Sequence, residues 1–174
     1  QGKRTTYKIV SCSNDNQGNG YIANGVTNEV IIRGARSFTL VLFNADNSIK
    51  NYRTYDIYGN GKNGSATIAQ FNEAVNNGMS FGEYCVVFTS DEPRNGSDQI
   101  VDSLVKLGAS KYTIESLQSR SSYILIGRKG LSEGQGIEIV STVSTIPVEY
   151  VLDMINGVPM GLAGTATVAT AMRA

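Results

Sequence analysis

The chain has 174 residues, 41% of them hydrophobic, with no His and no Trp; that length supports one domain with a proper core and leaves little for a second. Lysine plus arginine and aspartate plus glutamate balance at 15 each, which argues against a strongly basic nucleic-acid surface or a polybasic membrane anchor. The missing His removes Ser-His-Asp and Cys-His nucleophile pairs and, with two cysteines only, the usual four-ligand zinc site, so neither a metal nor a cofactor is expected.

No apolar run reaches the length of a membrane span, and Gln1-Gly2-Lys3-Arg4 is not followed by the hydrophobic region of a signal peptide. A start at Gln suggests a mature or excised fragment. Cys85 lies in an apolar run and reads as a core thiol, whereas Cys12 is less constrained; a bridge between them is left open by the sequence.

Residues 7–11 form the first strand candidate, and 13–20 an Asn/Gly-rich turn. Residues 21–23 and 29–32 bracket Asn24-Gly25, the dipeptide that favours a tight hairpin with positive φ at both central positions. Residues 38–43 are nearly continuous in apolar side chains and predict a central strand, with 44–48 as its turn and 49–58 as a half-exposed return strand. Gly59-Asn60-Gly61-Lys62-Asn63-Gly64 then matches G-x-G-x-x-G. A dinucleotide cradle needs a buried parallel strand before it, and the polar hairpin arm here makes a flexible connector the better reading.

Ser65 is a good N-cap for a helix over 66–76, with Ile68, Phe71 and Val75 on one face. Residues 84–90 predict a buried strand, 97–107 a second helix stopped by Gly108, 112–116 a short extended piece, and 136–143 a late alternating strand. Between the last two lies Ser119-Arg120-Ser121-Ser122-Tyr123-Ile124-Leu125-Ile126-Gly127-Arg128-Lys129-Gly130. It reads as a buried strand with basic ends, and Arg120 stands where a five-donor guanidinium either solubilises the strand end or serves a ligand. From Ile146 a Gly/Ala/Thr-rich composition replaces this rhythm. The stretch 146–174 reads as a loosely docked terminus or as an arm that orders against a neighbouring subunit.

Several spaced motifs carry a family resemblance. Arg36 followed by the apolar run to Asn44 resembles Gly-Arg-Gly, an apolar strand and Asn; Tyr55-Asp56-Ile57-Tyr58 resembles Phe-Asp-Thr-Tyr; Thr89-Ser90-Asp91-Glu92 resembles a strand closed by Lys-Asp-Glu. Residues 104–110 resemble Leu-x-x-Leu-Gly-Ser, and 120–130 resemble Arg-Asp-x-x-Ala-Phe-x-Gly-x-Lys-Gly. Over residues 7–141 the chain therefore resembles the interleukin-like EMT inducer and pancreatic-derived-factor superfamily, which includes the stem domain of protein O-mannose N-acetylglucosaminyltransferase. Ser37 and Ser121 depart from the family's Gly and Asp, Tyr123 stands near its Trp, and its disulfide framework is missing.

The resemblance implies an α+β fold of two β-sheets with flanking helices, a β-β-α sandwich of that type, expected over residues 1–145 with 146–174 as the C-terminal arm. It also implies a protein without catalytic activity and a sugar site at Arg36, Asp91 and Arg120, with Thr67 near the apolar face of the sugar. An Asp between two arginines would stay ionised and accept from a hydroxyl. The expectation is thus a carbohydrate-recognition or adhesion module on a virion, such as a phage tail fibre, or on a cell surface. Its partners would be a surface glycan and, through the arm, neighbouring subunits, with no nucleic acid and no membrane insertion. The alternative is a purely architectural virion protein in which the same residues form internal salt bridges. Reading Asp91 and Glu92 as glycosidase carboxylates is disfavoured, because adjacent residues on a strand end face opposite ways.

Overall fold

The computed structural model describes residues 3–59 and 62–163. In chain order the elements are β1 (Arg4–Ser13), β2 (Tyr21–Asn24), β3 (Val30–Arg33), β4 (Ser37–Phe43), β5 (Ile49–Tyr55), α1 (Lys62–Asn76) and β6 (Tyr84–Asp91). A 3-10 turn at Ser97–Gln99 follows, then α2 (Val101–Lys106), α3 (Lys111–Ser116), β7 (Ser122–Arg128), β8 (Ile137–Ser141), β9 (Val148–Ile155) and β10 (Val158–Pro159). The protein is mostly β, a mixed sheet with few helices.

Five strands run antiparallel in the order β5-β4-β6-β7-β8, and five more in the order β3-β2-β1-β9-β10. The two expected sheets are one, because the end of β1 turns to pair in parallel with the end of β6, Cys12 opposite Ser90 and Ser13 opposite Asp91. The central strands are covered on both faces, which is why they read as continuous apolar runs. One face of β4, β6 and β7 sends Phe38, Leu40, Val87 and Leu125 toward the helices, where they meet Phe71, Leu104 and Ile114. Their other face sends Val41, Phe88, Ile124 and Ile126 against Ile9, Ile22 and Leu152 from the second set of strands. Each such side chain contributes about 1.5–3 kcal/mol by leaving water.

Several local expectations differ. The β2–β3 hairpin forms, but over a longer turn in which Asn24 N–H donates to the Glu29 carbonyl and Asn28, not Gly25, has the positive φ of 65°. The first helix begins at Lys62, inside the Gly-rich run, whose Asn60 and Gly61 lie outside the described residues. Residues 112–116 are helical rather than extended. The α3 start is held from a distance, Glu138 accepting from the Ser110 N–H and Glu133 from the Lys111 N–H, each at 3.0 Å. Cys12 and Cys85 are both free and buried, so the bridge left open by the sequence is not formed. Burial pushes the Cys85 thiol up to about 12.

The largest difference concerns the expected arm. Residues 148–155 are β9, paired with β1 at eight positions from Arg4–Ile155 to Ser11–Val148, and Leu152 and Met154 are fully buried between the layers. A boundary at 145 therefore cuts through the sheet, because the strand's inward residues complete the core over β1. Asn47, buried in the β4–β5 turn, fastens this region: its side chain donates to the Lys3 carbonyl and accepts from the Gly157 N–H at 2.6 Å. The remainder of the expected arm, 164–174, lies outside the described residues.

Glu138 also sets a pH dependence. Its carboxylate accepts from the buried Tyr123 hydroxyl at 2.5 Å, and burial holds its pKa above the ordinary value although the Tyr123, Ser110 and Thr113 hydrogen bonds pull it down. A carboxyl whose folded pKa is raised contributes stability that is fully present below the unfolded pKa and lost as pH rises through the folded one. Wild type is therefore expected to gain stability relative to Glu138→Gln as pH falls from neutral into the carboxylate range. Urea midpoints for the pair across that range check this; a difference that does not change with pH contradicts it.

Candidate functional site

Strand register explains how residues far apart in sequence meet. β4 starts where β6 ends, with Ser37 opposite Ser90; β7 starts there too, with Ile124 opposite Phe88; β5 ends there, with Tyr55 opposite Phe38; and β1 ends there, with Ser13 opposite Asp91. Arg36, Asp91 and Arg120, one residue before β4, at the last position of β6 and two residues before β7, consequently line one cleft of about 800 Å³. Charged and amide side chains form most of its wall, with Ile114 and Leu117 from α3 and its following loop as the apolar part.

The electrostatics differ from the expected Asp between two arginines. Arg36 donates both Nε and Nη2 to Asp56, at 3.0 and 2.9 Å, and its guanidinium lies 4.4 Å from the Tyr58 ring centre. The Asp56 hydrogen bond holds the Arg36 pKa up, with a smaller contribution from the Asp91 charge. Arg120 Nη1 donates to Asp15, whose carboxyl is held below the usual range first by a Ser144 hydrogen bond and then by Arg120. Neither arginine is within ion-pair distance of Asp91, and the Asp91 carboxylate has no hydrogen-bonded partner among the described residues. The three residues thus share a wall without neutralising one another.

Glu92 has the opposite character. It is 7% exposed and accepts four donors: the N–H groups of Arg94, Asn95 at 3.3 Å and Arg120 at 2.6 Å, and the Ser119 hydroxyl at 2.9 Å. One side chain thereby joins the loop after β6 to the loop before β7, two walls of the cleft. Both of its oxygens are engaged by these donors.

The backbone at the site is unusual for non-glycine residues. Asp91 has φ 65° and Arg120 φ 58°, the left-handed region that Asp tolerates and Arg seldom adopts. Gly96, at φ 89°, would bring a Cβ within 2.3 Å of the Ile57 carbonyl oxygen, so only glycine lets the 3-10 turn close against the β5–α1 connection. That connection is further held by the Gly59 N–H donating to Asn95 Oδ1 at 2.9 Å.

Two expected contributors are elsewhere. Thr67 does not line the cleft, and Tyr123 is fully buried beneath the helices. The aromatic surface comes instead from Tyr58, 42% exposed on the cleft wall. Its signal in the sequence was its place two residues after Asp56 at the end of the return strand, which in the structure finishes opposite the start of β4. Among the described residues no group of three or more Cys, Asp or Glu is arranged to hold a metal ion, and no helix is long and apolar enough to cross a membrane.

A family model described as interleukin-like EMT inducer matches residues 36–131, more than half of the chain and a span that includes Arg36, Asp91 and Arg120. No curated protein matches the chain.

Proposed function

The chain belongs to the interleukin-like EMT inducer family, and on that premise we propose that it is a non-enzymatic carbohydrate-recognition module whose ligand occupies the cleft between Arg36, Asp91 and Arg120. The observation that carries this reading is the Asp91 carboxylate, without a hydrogen-bonded partner among the described residues, in a polar cleft it shares with two arginines whose remaining N–H groups have none there either. A sugar presents vicinal hydroxyls that donate to a carboxylate and accept from guanidinium groups, and an apolar face that stacks on a ring such as Tyr58. The commitment of Glu92 to four structural donors supports binding over hydrolysis. The β-β-α sandwich and the likeness to the O-mannose transferase stem domain belong to this reading, which a mixed sheet with helices packed on one face supports. Display on a virion, as in a phage tail fibre, or on a cell surface, with residues 164–174 engaging a neighbouring subunit, belongs to the same proposal.

The test is binding to a glycan array by wild type, Asp91→Asn and Arg120→Ala. Asn tolerates the left-handed backbone and keeps the size of Asp, while Ala at 120 meets the same backbone cost as Arg, so neither change disturbs the fold. Losing a charged hydrogen-bonding partner is worth about 1.5–3 kcal/mol, so each variant is expected to bind at least about tenfold more weakly with an unchanged melting temperature. No saccharide bound by wild type, or equal binding by all three proteins, refutes the reading.

A further inference from the structure

We propose that Asp56 and Asp15, which lie outside the cleft, are its specificity residues: by pairing with Arg36 and Arg120 they set a carboxylate against each guanidinium, so that each pair has no net charge, and direct the site toward uncharged saccharides over sulfated or uronate-bearing ones. This rests on the saccharide reading above.

A guanidinium has two edges that chelate a carboxylate, sulfate or phosphate with two parallel bonds, Nε/Nη2 and Nη1/Nη2. In Arg36 the Nε/Nη2 edge is already filled by both oxygens of Asp56, and the flat face lies on Tyr58, so the group is held from two sides. What Arg36 retains for a ligand is its Nη1/Nη2 end, whose N–H groups donate to hydroxyl oxygens and would also take an oxyanion, so the preference between the two is set by the surrounding charge. Asp56 Oδ1 also accepts from the Tyr58 backbone N–H at 3.2 Å, which ties the carboxylate to the residue whose ring lies against Arg36. Arg120 is paired through Nη1 alone with Asp15, on the loop that follows β1, so here the carboxylate supplies a compensating charge and leaves the Nε/Nη2 edge unfilled among the described residues.

With those two charges paired, the balance of the remaining lining charges is acidic. Among the described residues Arg94 is the lining cation whose guanidinium has no carboxylate partner, and it donates to the Leu117 carbonyl at 3.0 Å. Against it stand Asp91, Asp98 and Glu115, none of which forms an ion pair among the described residues. An anionic group entering beside Asp91 meets like charge, whereas a hydroxyl donates to it. The specificity is therefore a matter of repulsion as much as of attraction, with the two outer carboxylates setting the sign.

The experiment uses an array that pairs neutral saccharides with their sulfated counterparts, probed with wild type, Asp56→Asn, Asp15→Asn and the double variant. Both ion pairs are partly exposed, and Asn at 56 keeps the oxygen that accepts from the Tyr58 N–H, so all four proteins are expected to fold; thermal melts verify this. Wild type is expected to prefer the neutral member of a pair by about tenfold, each single variant to narrow that preference, and the double variant to favour the sulfated member in a salt-dependent manner. Equal binding of both members by wild type overturns the inference without any variant, as does an unchanged preference in the double variant; both leave the saccharide reading in place. Wild type that binds no saccharide overturns that reading, and this inference with it.

Discussion

A chain ending at Thr145 is expected to have no cooperative unfolding transition. The cut removes β9 and β10, and with β9 go eight paired positions along β1 and the fully buried Leu152 and Met154. Those two side chains alone contribute about 3–6 kcal/mol by leaving water, against a total stability that for a domain of this kind is about 5–15 kcal/mol. The truncation also uncovers Ile9 and Tyr7, which face the same core, and opens a long edge on β1 that invites aggregation. Leu152→Ala in the complete chain is the milder version, expected to lower stability by about 2–5 kcal/mol. Denaturant titration followed by circular dichroism measures both. A truncated chain that melts as wild type does would restore residues 146–163 to the status of an arm.

Glu92→Ala is expected to cost about 3 kcal/mol or more, because it strands three backbone N–H groups and a hydroxyl, each of which costs about 1–3 kcal/mol if left buried without an acceptor. Glu92→Gln keeps one acceptor oxygen but turns an NH2 toward donors, so its loss should be smaller than that of Ala and larger than that of a surface change. The second consequence is local. Glu92 sets the Arg120 N–H and the Arg94–Asn95 segment relative to one another, so Glu92→Gln is expected to weaken saccharide binding while the protein still folds. Chemical denaturation and array binding on the two variants separate these effects; stability equal to wild type in Glu92→Ala would show that the four hydrogen bonds are replaced by water without loss.

Much of the central sheet was legible because burial on two faces leaves a distinctive record. β4, β6 and β7 carry apolar or small side chains at nearly every position, since alternate residues meet the helices and the second set of strands. β9 left a record too, in Val148, Tyr150, Leu152 and Met154 alternating with Glu149, Val151 and Asp153, but the Gly/Ala/Thr-rich residues beyond it dominated the composition of the segment. α3 left almost none. It has six residues, with Ile114 buried and Tyr112 81% exposed, too short to show a helical period, and the groups that hold its start, Glu133 and Glu138, come later in the chain.

The site divides along the same line. By itself the sequence determined the apolar runs, the turn residues that separate them, and the charged residues standing at the strand ends, Arg36, Asp91 and Arg120 among them. Those are consequences of local pattern, read at a period of two or from a neighbour's turn chemistry. Only the tertiary structure decided which strand ends share an edge, and so that Asp56 and Asp15, not Asp91, are the carboxylates paired with the two arginines. It also decided that Glu92 is a structural clasp and that Tyr58 supplies the aromatic wall. The physical reason is that an ion pair or a clasp depends on distances of a few ångströms across strands more than a hundred residues apart in the case of Asp15 and Arg120, and strand register, which sets those distances, is a property of the whole sheet.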